Sequence, residues 1–165
     1  MAKVSRSQPV HSAVFTHEGD RLATAGYEGY IYVWDCSVPA KASLLNILTG
    51  HTREINGLVL TANAKHLISG ASDSTLRIWN LATGKCIQVI EEDQGQCLTL
   101  ALSPDGTCLA ASGLAGIIRI YRVISNLSGQ WHFTQMATYL PFGVGMKPCA
   151  FGMWAIRRRR ERVCA

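Results

Sequence analysis

Three stretches of the chain align without a gap: Leu22 to Asp35 (LATAGYEGYIYVWD), Leu67 to Asn80 (LISGASDSTLRIWN) and Leu109 to Arg122 (LAASGLAGIIRIYR), their first residues 45 and then 42 apart. Each runs from a leucine through two or three small residues to a turn carrying Gly or Asp. An alternating strand ending in an aromatic follows, so each stretch predicts a hairpin. Twelve residues before each leucine a matching position (Val10, Ile55, Cys97) opens a short apolar strand: Val10 to Phe15, Ile55 to Leu60 and Cys97 to Leu102. The turns after these strands are rich in Gly, Asp, Asn or Pro, most clearly Ser103-Pro104-Asp105-Gly106. A fourth strand is predicted after each aromatic, over Ser43 to Leu48, Cys86 to Ile90 and His132 to Ala137. Each unit is therefore expected to hold four antiparallel strands.

Within the third strand of the first two units, alternate residues are large on both sides: Ile31 and Val33 against Tyr32 and Trp34, then Leu76 and Ile78 against Arg77 and Trp79. A sheet with two apolar faces needs a neighbour on each. Stacked radially, such sheets make a propeller, typically of four to eight blades with roughly 40 to 45 residues each. The expected fold is all-β, a partial propeller of about three four-stranded antiparallel blades whose ring this chain alone does not close. The repeats are expected over residues 1–138 (about 8–50, 51–92 and 93–138), followed by an irregular or incomplete fourth blade over 139–156 and a basic tail over 157–165.

The pattern resembles the Trp-Asp (WD) repeat family of β-propellers, over about residues 8 to 138. The second unit matches best, with Gly50-His51, Ser69-Gly70, Asp73 in the turn, and Trp79-Asn80 where the family has Trp-Asp. In that family the His, a strand hydroxyl, the turn Asp and the Trp form a buried hydrogen-bonded chain. The resemblance implies His51, Ser69, Asp73 and Trp79 for these roles, and a buried carboxylate does need such donors. In the first unit Glu28 replaces the turn Asp. In the third, Ala115 replaces it, Tyr121-Arg122 stands for Trp-Asp and Glu92-Asp93 for Gly-His, so the third blade is expected to have lost its polar chain.

His51, Asp73 and Ser69 could suggest a hydrolytic grouping, but the repeat accounts for all three structurally. The chain has no Walker-type loop, no H-E-x-x-H and no paired metal-ligand spacing, so neither enzyme activity, metal nor cofactor is expected. Six cysteines without a C-x-x-C pair read as reduced thiols, most of them small buried residues. The least charged region, Val123 to Met146, carries Asn126, Ser128, Gln130, His132 and Gln135 before Pro141, a poor membrane span. A cytoplasmic or nuclear location is expected.

Other proteins are the expected partners, and the resemblance implies where they bind: the rim at the narrow end of the ring. Carried over by position, the rim residues are Pro9, His11 and Tyr27 in the first unit, Glu54, Asn56 and Ser72 in the second, and Gln96, Leu98 and Leu114 in the third. Tyr27 and Leu114 stand out, because an aromatic or leucine on a loop is a typical interface anchor. The expected function is a non-catalytic protein-interaction scaffold in a larger assembly. The alternative is a nucleic-acid-associated or nuclear subunit. Of the net charge of +5, +4 comes from Arg157, Arg158, Arg159, Arg160 and Arg162 set against Glu161, so the basicity is a tail and not a face. A chain that leaves its repeat and ends in RRRRERVCA reads as a truncated or alternatively terminated version of a longer protein, dependent on further blades or a partner subunit for stability.

Overall fold

The turns carry the repeat into three dimensions. In the computed structural model, which describes residues 8–38, 41–92, 95–125 and 131–139, the reversal between the first two strands of each unit has one left-handed residue at the same place. It is Gly19 (φ 74°), Ala64 (φ 53°) and Gly106 (φ 70°) in turn. The reversal between the second and third strands repeats the arrangement with Gly29 (φ 75°), Ser74 (φ 63°) and Gly116 (φ 65°). The outer units use glycine, which enters this region freely; the middle unit forces Ala64 and Ser74 into it at a steric cost.

The described residues form twelve strands: β1 (Val10–Phe15), β2 (Arg21–Gly26), β3 (Ile31–Asp35), β4 (Ser43–Leu48), β5 (Ile55–Leu60), β6 (His66–Ala71), β7 (Thr75–Asn80), β8 (Cys86–Glu91), β9 (Cys97–Leu102), β10 (Cys108–Gly113), β11 (Ile118–Ser125) and β12 (Trp131–Tyr139). They form three separate four-stranded meanders in chain order, β1 to β4, β5 to β8 and β9 to β12, all pairs antiparallel. β12 begins earlier and ends later than its sequence pattern predicts, because the long β11 offers it a ladder from Ser125 back to Ile118.

The blades stand side by side through their first strands, with β1 against β5 and β5 against β9. Alternation then sends each blade's side chains to two different interfaces. Between the first two blades Ala23, Ala25, Ile31, Val33 and Leu48 meet Leu58, Leu67, Trp79 and Leu81. Between the second and third, Ile68, Leu76, Ile78 and Ile90 meet Leu109, Ala111, Tyr121, Val123 and Phe133. The middle blade is thus sealed on both faces, with Leu67, Ile68, Leu76 and Ile78 all at 0% exposure. Burying such side chains stabilises by roughly 1.5–3 kcal/mol each, which makes the blade interfaces the chief source of folding energy.

One irregularity recurs. The pairing of each first strand with its second skips a residue, at His11, Asn56 and Leu98. A bulge takes its residue out of the ladder and re-aims it. All three lie at the rim end.

Candidate interaction surface and the buried polar chains

The middle blade holds an unbroken polar chain. Trp79 Nε1 donates to Ser69 Oγ at 2.9 Å, Ser69 Oγ lies 2.7 Å from His51 Nε2, and His51 Nδ1 lies 2.8 Å from Asp73 Oδ2. Burial is the main influence on the imidazole and lowers its pKa, against the opposing pull of Asp73. The ring is therefore neutral at pH 7. Because the carboxylate only accepts, the single ring proton sits on Nδ1 and points to Asp73; Nε2 accepts from the Ser69 hydroxyl, which accepts in turn from the indole. Burial raises the Asp73 carboxyl, but hydrogen bonds from His51, Thr75 and Thr52 outweigh it and hold the group well below the ordinary carboxylate range. Ser69 is at 0% exposure, so this Ser-His-Asp grouping reaches no substrate.

The first blade uses part of the same plan. Trp34 Nε1 donates to Thr24 Oγ1 at 2.9 Å, the position Ser69 holds next door, while Glu28 accepts from the Tyr32 hydroxyl at 2.6 Å.

The third blade corrects the expectation that its polar chain is lost. Glu92, arriving from the linker after β8, is buried and accepts a hydrogen bond from the Tyr121 hydroxyl. Its other oxygen lies 2.5 Å from Arg119 Nη1, and both side chains are almost sealed, at 2% and 7% exposure. The polarity is reversed relative to the second blade. There the linker brings an imidazole to a turn carboxylate; here it brings a carboxylate to a cation on the third strand. The position of Arg119 corresponds to Arg77 and Tyr32, neither of which signals a buried ion pair, and only an acid where the family has Gly-His could have drawn attention to it. The same acid acts on Cys97: burial first, then Glu92, push that thiol up to about 12. Cys36, Cys86, Cys97 and Cys108 are all free thiols.

The rim residues divide sharply. Tyr27 and Leu114 occupy equivalent turns of the first and third blades and project into solvent, at 60% and 69% exposure, with Leu98 beside them at 40%. Pro9 and His11 are exposed, and Glu54 and Gln96 half-buried. Ser72, expected on the same rim, is corrected: it is 4% exposed, with its N–H on the Glu54 carbonyl and its hydroxyl accepting from Asn56 Nδ2 at 3.0 Å. Asn56 is occupied too. Its amide also donates to the Cys97 carbonyl at 2.9 Å, and its Oδ1 lies 3.2 Å from His11 Nδ1, so one bulged side chain ties three blades together. Its place just after the opening apolar residue indicated the rim; its reach across blades is a product of the bulge.

Among the described residues no group of three or more His, Cys, Asp and Glu is placed to hold a metal ion. No helix of those residues is long and apolar enough to cross a membrane. Of the stretch 139–156 expected to be irregular or an incomplete fourth blade, Tyr139 is the last residue of β12; residues 140–156, the arginine cluster and Cys164 lie outside the described residues.

Comparison with known proteins agrees with this architecture. The family described as "WD domain, G-beta repeat" matches at residues 3–35, 42–80 and 84–122, together more than half of the chain. The chain belongs to the WD-repeat family. Among similar proteins, the WD repeat-containing protein 89 homolog of Dictyostelium discoideum is 33% identical over 102 residues, covering 62% of this chain and 26% of that protein. Human Coronin-7 is 36% identical over 107 residues, covering 62% of the chain and 12% of its own length, and mouse Coronin-7 is 36% identical over 111 residues, covering 64% and 12%. The chain thus spans from about an eighth to about a quarter of the relatives it matches. WD repeats generally act as non-catalytic surfaces for protein interaction, and the sealed Ser69 fits that use.

Proposed function

We propose that this chain is a non-catalytic scaffold that takes part in a larger assembly, binding other proteins through the rim loops of its blades. The exposure of Tyr27 and Leu114 carries the reading. The two turns occupy equivalent repeat positions on one rim, each leaves most of a large apolar side chain in water, and an aromatic or leucine so placed on a loop is a typical interface anchor. Glu54 and Gln96, half-buried beside them, add polar contacts at the edge of the same surface. Asn56 and Ser72 act behind it, holding the loops in place.

Quantitative affinity capture with mass spectrometry tests the proposal, comparing the native chain with Tyr27→Ala, Leu114→Ala and the double variant. Discrete proteins recovered by the native chain are expected to drop at least tenfold with the double variant, while Asp105→Ala at the opposite end of the third blade leaves them unchanged. Recovery of the same proteins in the same amounts by all variants overturns the rim assignment.

A further inference from the structure

Asn56 and Gly57 pose a chemical problem as a pair. Of the five asparagines in the chain, Asn56 alone is followed by glycine. That order is the most prone to deamidation, because no side chain shields the next backbone nitrogen and glycine lets the backbone bring it to the carboxamide. Packing calls for both residues nevertheless. A Cβ on Gly57 would stand 3.1 Å from the Leu100 nitrogen and 3.2 Å from Leu100 Cγ, so a larger residue would force β9 off β5. Asn56 supplies two donors and an acceptor from one short side chain, and all are in use. Its Nδ2 donates to Ser72 Oγ at 3.0 Å and to the Cys97 carbonyl at 2.9 Å, and its Oδ1 lies 3.2 Å from His11 Nδ1. The contact between the blades is therefore built on the labile pair.

We infer that Asn56-Gly57 is a modification site: spontaneous deamidation there is blocked while the rim is closed, proceeds when it opens, and makes the loosening of β5 from β9 irreversible. In the reaction the Gly57 backbone nitrogen attacks Asn56 Cγ. The Cγ–Nδ2 bond breaks, the Gly57 amide proton passes to Nδ2, and ammonia leaves a succinimide ring behind. Water then opens the ring at either carbonyl, giving aspartate or isoaspartate, with nothing oxidised or reduced. The closed rim opposes the first step. Attack needs the carboxamide to swing back along its own strand, which breaks its bonds to Ser72, Cys97 and His11, and needs Gly57 to leave the ladder in which it stands opposite Gly70. Both happen together only in a local opening of the rim end. Neither product restores the contact. A carboxylate only accepts, so the Cys97 carbonyl loses its donor and meets a negative oxygen instead. Isoaspartate also adds a backbone methylene at the bulge, where the register of β5 on β6 already shifts.

Tryptic peptide mapping by mass spectrometry tests it on the 165-residue chain, held at mildly alkaline pH in buffer or in concentrated guanidinium chloride. Fragment ions of the peptide from Glu54 to Lys65 separate Asn56 from Asn63, and Asp105-Gly106, which can also form isoaspartate, falls in a different peptide. In denaturant Asn56 is expected to deamidate at least tenfold faster than Asn46, Asn63, Asn80 and Asn126. In buffer it should react at least tenfold more slowly than in denaturant. Ser72→Ala removes one acceptor from Nδ2 without touching the Asn-Gly pair, so it should speed the reaction in buffer and leave the rate in denaturant unchanged. Asn56→Asp, which carries the charge of the product, should raise amide exchange at the rim ends of β5 and β9 at least tenfold. Equal rates at Asn56 in buffer and in denaturant overturn the inference, as does a rate in denaturant no faster than at the other asparagines. Native exchange in Asn56→Asp also overturns it, since deamidation would then loosen nothing.

Discussion

Glu92→Gln tests whether the third blade is held by a buried charge pair. The substitution keeps the side chain's shape and leaves an oxygen for the Tyr121 hydroxyl, but removes the negative charge 2.5 Å from the Arg119 guanidinium, which is only 7% exposed. Breaking such a pair by removing one partner costs about 3–5 kcal/mol, because the remaining charge stays desolvated and unpaired. In a chain of this length each kcal/mol moves Tm by roughly 2–4 °C, so the variant should melt about 6–20 °C lower. The assay is urea and thermal unfolding of native, Glu92→Gln, Arg119→Met and the Glu92→Met, Arg119→Met double variant. Removing both charges abolishes the stranded ion, so the double variant should be less destabilised than Glu92→Gln, and short of native by about 1–3 kcal/mol for the Tyr121 hydroxyl left without an acceptor. A cost below about 1 kcal/mol for Glu92→Gln, or single effects that simply add in the double variant, would refute the reasoning.

The middle blade makes stability depend on pH. Both His51 and Asp73 titrate lower folded than unfolded, so both contribute stability that is full above the unfolded pKa and lost as pH falls: first below about 6.5 through His51, then below about 3.9 through Asp73. Urea midpoints measured from pH 8 to 3 should fall in that order, and Asp73→Asn should flatten the lower limb; a midpoint independent of pH contradicts it. Asn56→Ala removes the amide that bridges to the Cys97 carbonyl and the Ser72 hydroxyl and should cost about 1–3 kcal/mol, with amide exchange accelerated first at the β5 and β9 rim ends. Ala64→Gly relieves a left-handed alanine worth about 1–2 kcal/mol of strain against about 0.4–1 kcal/mol of added unfolded-chain entropy, so chemical denaturation should show a gain of roughly 0.5–1 kcal/mol. Gly106→Ala, at the equivalent turn with nothing near the added Cβ, should reverse the sign.

The strands and their antiparallel order were legible because they depend on local signals: period-two alternation, turn residues and a constant spacing recur in each unit. The middle blade's polar residues, His51, Ser69, Asp73 and Trp79, were legible through the resemblance to the WD-repeat family, which implied their roles. Glu92 and Arg119 carried no such signal: 27 positions separate them, on a linker and a strand, and they meet only because the linker folds back over the third strand. Asn56 and Ser72 lay at positions that suggested solvent, yet a bulge and a neighbouring blade turned them inward, since burial depends on what packs alongside. The repeat in the sequence thus determined what each blade is. The tertiary structure decided what lies between blades: which polar groups are sealed and which rim side chains remain in water.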